Sequence, residues 1–289
     1  MKRIISCYAS DFHKNISRED FKHSIIASEG RVIMAQTAAN NECLISGISN
    51  AELISSFGTD MILLKMLDVE KPFINGVEQS KNIISDLKRL TGRLIGINLE
   101  VIGENRLQYD GPTVLSDSTL EKAISLKPDF LCLTAYRNKP GNSSEAVLEA
   151  LKLTRSKYDG LLILNKYASI FEIEEEKWEE YVKCGADVIT LPMSGSSSGI
   201  YVENISKIAS NIKKNGGIVS MSLCTSQEGA DTDTIKFIAI QAKQAGADVF
   251  DFGDANSNGI ASPENIMALS IAIRGKRHTY FRIAASINR

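Results

Sequence analysis

The sequence contains few histidines and no closely spaced pair of cysteines, and both features limit the metal sites that it can form. Three histidines and five cysteines occur among 289 residues, and no two cysteines form a Cys-x-x-Cys pair. Because zinc sites in proteins need closely spaced Cys and His ligands, we expect no zinc centre. An odd number of scattered cysteines is typical of reduced thiols in a cytoplasmic protein.

The sequence also lacks a strong net charge and long apolar runs. The 33 basic and 35 acidic residues give a net charge of −2, so no broad basic surface for nucleic acid or anionic membrane is expected. No stretch approaches the roughly 18 apolar residues of a membrane span. The apolar run before Cys7 is shorter than the roughly 7–15 residues of an export signal. These absences predict a soluble, cytoplasmic protein.

A weak internal repeat is the most informative feature that is present. In each copy a helix end is followed by Gly or Pro, then Asp, then an apolar run of strand length. The copies are "FGTDMILLKML" (57–67), "KPDFLCLTA" (127–135), "CGADVITLPM" (184–193) and "AGADVFDFGDA" (245–255). Apolar runs without clean alternation indicate parallel strands that are covered on both faces.

Between these copies, strand and helix patterns alternate regularly. The predicted strands are 32–38, 60–67, 94–101, 129–135, 161–168, 187–193, 217–224 and 248–254. The predicted helices are 49–57, 78–90, 118–126, 143–157, 173–184, 202–214, 231–245 and 263–273. Eight such pairs over about 240 residues predict a (β/α)8 TIM barrel. An open doubly wound sheet is the alternative, but "AQTAANNECLISG" after the first strand is not the glycine-rich dinucleotide fingerprint.

Both ends of the chain are predicted to belong to the barrel domain. We predict one barrel domain over 1–289, with residues 1–30 as a capping segment that contains an extra amphipathic helix, 17–28. Residues 274–289 form a basic tail that either packs across a subunit interface in a homo-oligomer or covers the edge of the barrel. No nicotinamide or flavin signal is present.

Function in such a barrel is expected at the carboxyl ends of the strands. Charged side chains within apolar strands are the strongest candidates there, because burying an unpaired charge is costly. They are Lys65, Glu100, Lys166 and Asp251, which we predict to be catalytic. Gln36, Asn98 and Ser222 are predicted to contact the substrate. A network of salt bridges at the barrel mouth would explain any one of the charges equally well.

Two chemistries remain open for these residues. The first is a Schiff-base lyase, which needs a lysine of lowered pKa and for which Lys166 is preferred to Lys65. The second is a magnesium-assisted enolate or carbon–carbon bond reaction, with Glu100, Asp251 and Asp254 as candidate oxygen ligands. With no histidine at the strand ends, proton transfer would fall to carboxylates, lysine or tyrosine.

Polar loops indicate a site for a phosphorylated or carboxylate substrate. Barrels often bind phosphate with the loops after strands seven and eight and a helix N-terminus. The residues predicted to bind phosphate are Gly229, Asn256, Ser257, Gly259 and Arg137. The loop "MSGSSSGI" (193–200) is a further candidate, as either a lid or a phosphate cradle. Solvated turns would explain these loops as well.

"SNGIASPENI" (257–266) resembles the Gly-x-x-x-Pro-Glu-Asn segment of phosphate-binding barrels. From "IASEGR" (26–31) through "LTGRLIGINLE" (90–100) to "SIAIRGKRHTYFRIAASINR" (270–289), the chain resembles an uncharacterised bacterial TIM-barrel family labelled phosphoenolpyruvate mutase-like or haloacid dehalogenase-like. The dehalogenase label needs an Asp-x-Asp nucleophile motif, but "DTD" (231–233) stands at a helix start. The mutase label implies a barrel with a magnesium held by acids, although its aspartate segment and cysteine loop have no clear match here.

These patterns together predict a lyase or isomerase acting on a small phosphorylated sugar or oxoacid at the barrel rim. The alternative is a non-catalytic barrel that senses a metabolite or acts as a scaffold.

Overall fold

The computed structural model describes residues 2–14, 16–103, 111–136, 140–167, 173, 176–254 and 257–289. Its strands are β1 (Val32–Ala38), β2 (Met61–Lys65), β3 (Leu94–Glu100), β4 (Phe130–Ala135), β5 (Leu161–Lys166), β6 (Val188–Pro192), β7 (Ile218–Leu223) and β8 (Val249–Phe252). Its α-helices are α1 (Ala9–Phe12), α2 (Arg18–Ile26), α3 (Asn50–Ser55), α4 (Ile83–Thr91), α5 (Asp117–Ser125), α6 (Ser144–Lys157), α7 (Trp178–Lys183), α8 (Val202–Lys214), α9 (Thr232–Ala245) and α10 (Pro263–Ala284).

The eight strands form a closed parallel barrel. Each strand pairs with the next, and β8 pairs with β1 in the register Met34 opposite Asp251. The helices α3 to α10 follow the strands one by one, so the predicted (β/α)8 TIM barrel is confirmed. Most strands are one to three residues shorter than predicted, and five of them begin one residue later, because the preceding Asp or Gly lies outside the strand.

Two apolar cores result from the alternation of side chains along the strands. One lies between the barrel and its helices, and the other fills the barrel interior. The predicted N-terminal helix is present as α2, and its Phe21 and Ile25 belong to the interior core. The Phe21 ring meets the Phe130 ring edge-on, with centroids 6.4 Å apart. Helix α2 therefore closes the amino end of the barrel.

An aspartate precedes every even-numbered strand and ties it to the strand before. The carboxylates of Asp60, Asp129, Asp187 and Asp248 each accept the backbone N–H of a residue in the preceding odd-numbered strand, at 2.8–3.0 Å. Each also pairs with at least one Lys or Arg side chain. These are the aspartates of the sequence repeat, whose role is therefore to join the strands at the amino end of the barrel.

The basic tail is part of the barrel's amino end. Helix α10 was predicted to stop at residue 273 but continues to Ala284, with a bend at Gly275, where φ is 72°. Arg274 and Arg282 are buried and bind the two carboxylate oxygens of Asp60 at 2.6 and 2.7 Å. Pairing with a buried carboxylate explains why these cationic residues lie inside the fold. Tyr280 stays half exposed, and the homo-oligomer remains a prediction.

Over the described residues, no helix is both long and apolar enough to cross a membrane.

We expect the Asp60→Asn substitution to destabilise the fold by about 3–5 kcal/mol, because it leaves two buried guanidinium groups without their carboxylate. Chemical denaturation would measure this loss. The matched control is Asp233→Asn, which removes an exposed ion pair with Lys236 and should change stability by less than about 1 kcal/mol. Equal losses in the two variants would contradict the structural role of Asp60.

Candidate active site

The carboxyl-terminal part of the barrel interior is polar. Inward positions near the amino end carry apolar side chains such as Met34, Leu63 and Ile163. Two residues further along each strand, the same inward alternation reaches polar side chains. We call the following buried residues the polar layer: Gln36, Lys65, Asn98, Thr134, Asn165, Ser222 and Asp251. The strand alternation thus brings together five of the predicted site residues: Lys65, Asp251, Gln36, Asn98 and Ser222.

Asp251 is the central carboxylate of the polar layer. Gln36 donates a hydrogen bond from Nε2 to Asp251 Oδ2 at 2.7 Å, and the Cys224 thiol lies 4.0 Å from the same oxygen. Ser222 Oγ is 2.6 Å from Cys224 Sγ. Among the described residues, Asp251 Oδ1 and Gln36 Oε1 are buried without a hydrogen-bond partner. A buried carboxylate oxygen without a partner is unusual and indicates a site for a ligand or water.

Burial raises the pKa of Asp251 to about 7, although the Gln36 hydrogen bond and the positive charge of Lys65 oppose this shift. The carboxyl group is therefore close to half ionised at neutral pH. A group with such a pKa can accept a proton and return it within one reaction cycle.

Lys65 supplies a positive charge that acts on this carboxyl group through space. Its side chain is 3% exposed, and Nζ lies 5.0 Å from the centre of the Tyr136 ring. Burial alone lowers the pKa of Lys65, but Tyr136 and the carboxylate of Asp254 outweigh burial and raise it above its ordinary value. The amine therefore stays protonated, which suits charge stabilisation better than imine formation.

Glu100 and Asp254 lie at the edge of the polar layer. Glu100 ends β3, Asp254 follows β8, and both are partly exposed. In the part of the chain that the structure describes, no three His, Cys, Asp or Glu side chains are grouped closely enough to hold a metal ion. The magnesium ligands Glu100, Asp251 and Asp254 therefore stay a prediction.

Lys166 occupies a different place from the other predicted catalytic residues. It shares the outward alternation of β5 with Leu162 and Leu164, which pack against the helices. Its ammonium is ion-paired with Glu176, whose carboxylate also accepts hydrogen bonds from Ser144 Oγ at 2.9 Å and Tyr181 OH at 3.0 Å. The structure thus places Lys166 beside the polar layer rather than within it.

A cavity of about 200 Å³ opens between β5, β6 and β7. We call it the side cavity, and it is lined by Asn165, Lys166, Tyr167, Thr190, Leu191, Pro192, Ser196, Ser197, Ser198, Ile200, Ser222, Cys224 and Thr225. Asn165 and Ser222 also belong to the polar layer, and Cys224 contacts Asp251. The side cavity therefore adjoins the buried carboxylate. Ser194 to Ser198 follow β6, so the serine-rich loop forms one wall.

Only some of the residues predicted to bind phosphate are among the described residues. Gly229 is exposed at the end of a short turn, and Gly259 has a φ of 67° with the Asn41 side chain at the position that a Cβ would occupy. Asn256, the side chain of Ser257 and Arg137 lie outside the described residues. Asn265 has a structural role that the sequence did not indicate, because its Nδ2 donates to the carbonyl oxygens of Glu228 and Ala230 at 2.8 Å.

Sequence reasoning missed two residues of the side cavity. Thr190 is an inward residue of β6, and Tyr167 directly follows β5 and stacks on Tyr136 with centroids 5.6 Å apart. Both look unremarkable in sequence because hydroxyl groups within apolar runs carry no charge. The two-residue alternation within β5 and β6 was the signal that would have selected them.

The geometry can now be compared with known proteins. The family model for the domain of unknown function DUF7916 matches residues 5–289. The chain belongs to the DUF7916 family. A comparison of the sequence with curated proteins found no significant match.

Solved structures share the fold of this DUF7916 chain. The carboxyl transferase domain of Rhizobium etli pyruvate carboxylase with pyruvate has a TM-score of 0.53 and 11% identity, over 96% of this chain and 52% of that one. The complete Rhizobium etli enzyme gives 0.56 and 13%, over 98% and 30% of the two chains. A Bacteroides fragilis protein described as a candidate α-galactosidase/melibiase gives 0.51 and 11%, over 88% and 61%.

The DUF7916 chain thus spans about half of the carboxyl transferase domain and less than a third of the complete carboxylase. At such low identity the likeness shows the barrel fold alone, and it assigns no reaction to the polar layer.

We expect Asp251→Asn to stabilise the protein at pH 8 but hardly at pH 4. Because the folded pKa of Asp251 is raised from 3.8 to about 7, the unfolded chain loses this proton first. The contribution of Asp251 to the free energy of unfolding therefore falls as the pH rises between these two pKa values and is constant above the higher one. The variant's advantage should reach up to about 4 kcal/mol at pH 8. Denaturation curves from pH 4 to pH 8 would measure it, and a pH-independent difference would contradict the buried, raised carboxyl group.

Proposed function

We propose that this protein is a lyase or isomerase that moves a proton on a small oxoacid or phosphorylated sugar bound at the polar layer. The observation that carries the proposal is the Asp251 carboxyl group, which is buried, has a pKa near neutrality and leaves Oδ1 without a described partner. A buried group of this kind beside a buried ammonium is more typical of a functional site than of a structural ion pair.

The proposed step is enolisation next to a carbonyl group. The Asp251 carboxylate takes a proton from the carbon beside the carbonyl. The electron pair of that C–H bond forms a carbon–carbon double bond, and the π pair of the carbonyl bond moves to the carbonyl oxygen. The Lys65 ammonium stabilises the negative charge that develops there. An isomerase then returns the proton from Asp251 to the former carbonyl carbon, while the hydroxyl proton of the first carbon passes to the former carbonyl oxygen and a new carbonyl group forms. A lyase instead uses the enolate electrons to expel a group from the next carbon, which leaves with the bonding pair and takes the proton from Asp251.

Neighbouring side chains support these roles. Gln36 holds Asp251 Oδ2 through its amide, which leaves Oδ1 to face the substrate. Burial raises the pKa of the Cys224 thiol well above its ordinary value, so the thiol next to Asp251 stays neutral. A neutral neighbour avoids a second negative charge beside the catalytic base.

One solved structure of similar fold supports the choice of an oxoacid. The carboxyl transferase domain of similar fold was solved with pyruvate, which is an oxoacid, although at 11% identity this supports the substrate class only weakly. A magnesium ion at Glu100, Asp251 or Asp254 would supply further stabilisation of the enolate. An imine at Lys65 or Lys166 is the competing chemistry, and it requires a neutral amine.

Hydrogen–deuterium exchange at carbon tests the proposal without knowledge of the complete reaction. Pyruvate, other short oxoacids and triose phosphates would be incubated with the protein in D2O, with and without magnesium, and followed by proton NMR. We expect exchange at the carbon beside the carbonyl with at least one compound. The rate should rise with pH through about 7 as Asp251 ionises, and Asp251→Asn should lower it about 10²–10⁴-fold.

Borohydride treatment of the wild-type protein separates the two chemistries. An imine at Lys65 or Lys166 would be trapped as a mass increase, whereas charge stabilisation by Lys65 leaves no adduct. Lys65→Met should slow exchange. Asp233→Asn, on the surface of α9, is the matched control and should exchange at the wild-type rate. An absence of exchange by the wild-type protein across the panel would overturn the proposal in favour of a non-catalytic barrel.

A further inference from the structure

The side cavity contains a buried hydroxyl group without a partner. Thr190 is 3% exposed, lines the side cavity, and its Oγ1 has no hydrogen-bond partner among the described residues. A buried hydroxyl group is normally satisfied by protein or water. Ser222 and Thr225 add two hydroxyl groups to the lining. The lining therefore offers hydroxyl groups to a polar ligand.

A lysine stands at the edge of the same cavity. Lys166 is 7% exposed and its ammonium is held by Glu176, which Ser144 and Tyr181 fix in turn. An ammonium group has three donors, so pairing with one carboxylate leaves donors for a second oxyanion. The ion pair with Glu176 holds the Lys166 side chain in place, which suits a binding role for Lys166.

The loop over the cavity is held in place. Ser194 Oγ donates to the carbonyl oxygen of Ile200 at 2.9 Å and closes the neck of the loop. Gly195 and Gly199 take left-handed φ values of 86° and 80° on either side of Ser196, Ser197 and Ser198, a conformation that glycine adopts readily. Ser196 Oγ also donates to the carbonyl oxygen of Met193 at 2.6 Å, so hydrogen bonds within the loop hold this wall of the cavity.

The size of the cavity limits the group that fits. A volume of about 200 Å³ corresponds to roughly six or seven water molecules, at about 30 Å³ each. It accommodates a compact group and a short carbon chain. Since Ser222 pairs in register with Asp251 on the adjacent strand, a short substrate can reach from the cavity to the buried carboxylate.

We propose that the side cavity receives a phosphoryl or carboxylate group of the substrate, at the opposite end from the carbon that reacts at Asp251. The inference rests on the proposed function and narrows its substrate class to short carbonyl compounds that carry a phosphoryl or carboxylate group at the end opposite the reacting carbon. It also moves the anion site from the loops after β7 and β8, where Gly229 and Gly259 were predicted to bind phosphate, to the loop after β6.

Binding measured apart from catalysis tests this proposal. Inorganic phosphate, glycerol 3-phosphate, malonate and the neutral control glycerol would be titrated by calorimetry against wild type, Thr190→Val and Lys166→Met. We expect wild type to bind the phosphates or malonate but not glycerol. Binding of the phosphates would indicate a site for a phosphoryl group, and binding of malonate a site for a carboxylate group. Thr190→Val, which replaces only a hydroxyl group by a methyl group, should weaken binding about tenfold, and Lys166→Met more.

The controls distinguish the two proposals and the two anion sites. Asp251→Asn should abolish carbon-bound exchange and keep anion binding, so its behaviour concerns only the proposed function. Thr190→Val should raise the KM of an exchanging compound that carries the anionic group and should affect its kcat less. Unchanged anion affinity in Thr190→Val together with a loss in Gly229→Ala would overturn the proposal and restore the loop after β7. Absence of anion binding by wild type would also overturn it.

Discussion

A carboxylate at the start of each even-numbered strand accepts a hydrogen bond from the backbone of the strand before it. The barrel depends on these contacts, which join its strands at the amino end. Asp60, Asp129, Asp187 and Asp248 make them. Each carboxylate is neutralised by Lys or Arg, as a buried charge requires. With pairs of strands fixed at that end, the opposite end of the interior can hold polar side chains that do not stabilise the fold.

Charge burial has opposite outcomes at the two ends of the barrel. At the amino end Asp60 is fully buried, yet Arg274 and Arg282 outweigh burial and hold its pKa below the usual range. At the carboxyl end Asp251 is equally buried, and no arginine among the described residues pairs with it, so burial raises its pKa to about 7. The same residue type thus forms a buried ion pair at one end and keeps a carboxyl group of raised pKa at the other. Stability given up at Asp251 is typical of functional sites.

The proposed site joins this carboxyl group to a compact binding space. Lys65 provides positive charge beside Asp251, while the side cavity provides hydroxyl groups and Lys166 on the neighbouring strands. The two regions meet at Ser222 and Cys224. The reacting groups and the groups that bind the substrate would then lie on different strands, as is usual in barrels whose sites are formed by several strand ends and loops.

The sequence by itself determined the barrel, since the spacing of Gly-Asp segments and apolar runs reflects local backbone preferences and burial. It also selected Lys65 and Asp251, because a charge within an apolar strand is visible without coordinates. Only the tertiary structure decided that Lys166 faces outward to Glu176, that Arg274 and Arg282 reach Asp60 over more than two hundred residues, and that Thr190 lines a cavity. Those outcomes depend on strand alternation and closure, which bring together residues whose separation in the chain carries no such information.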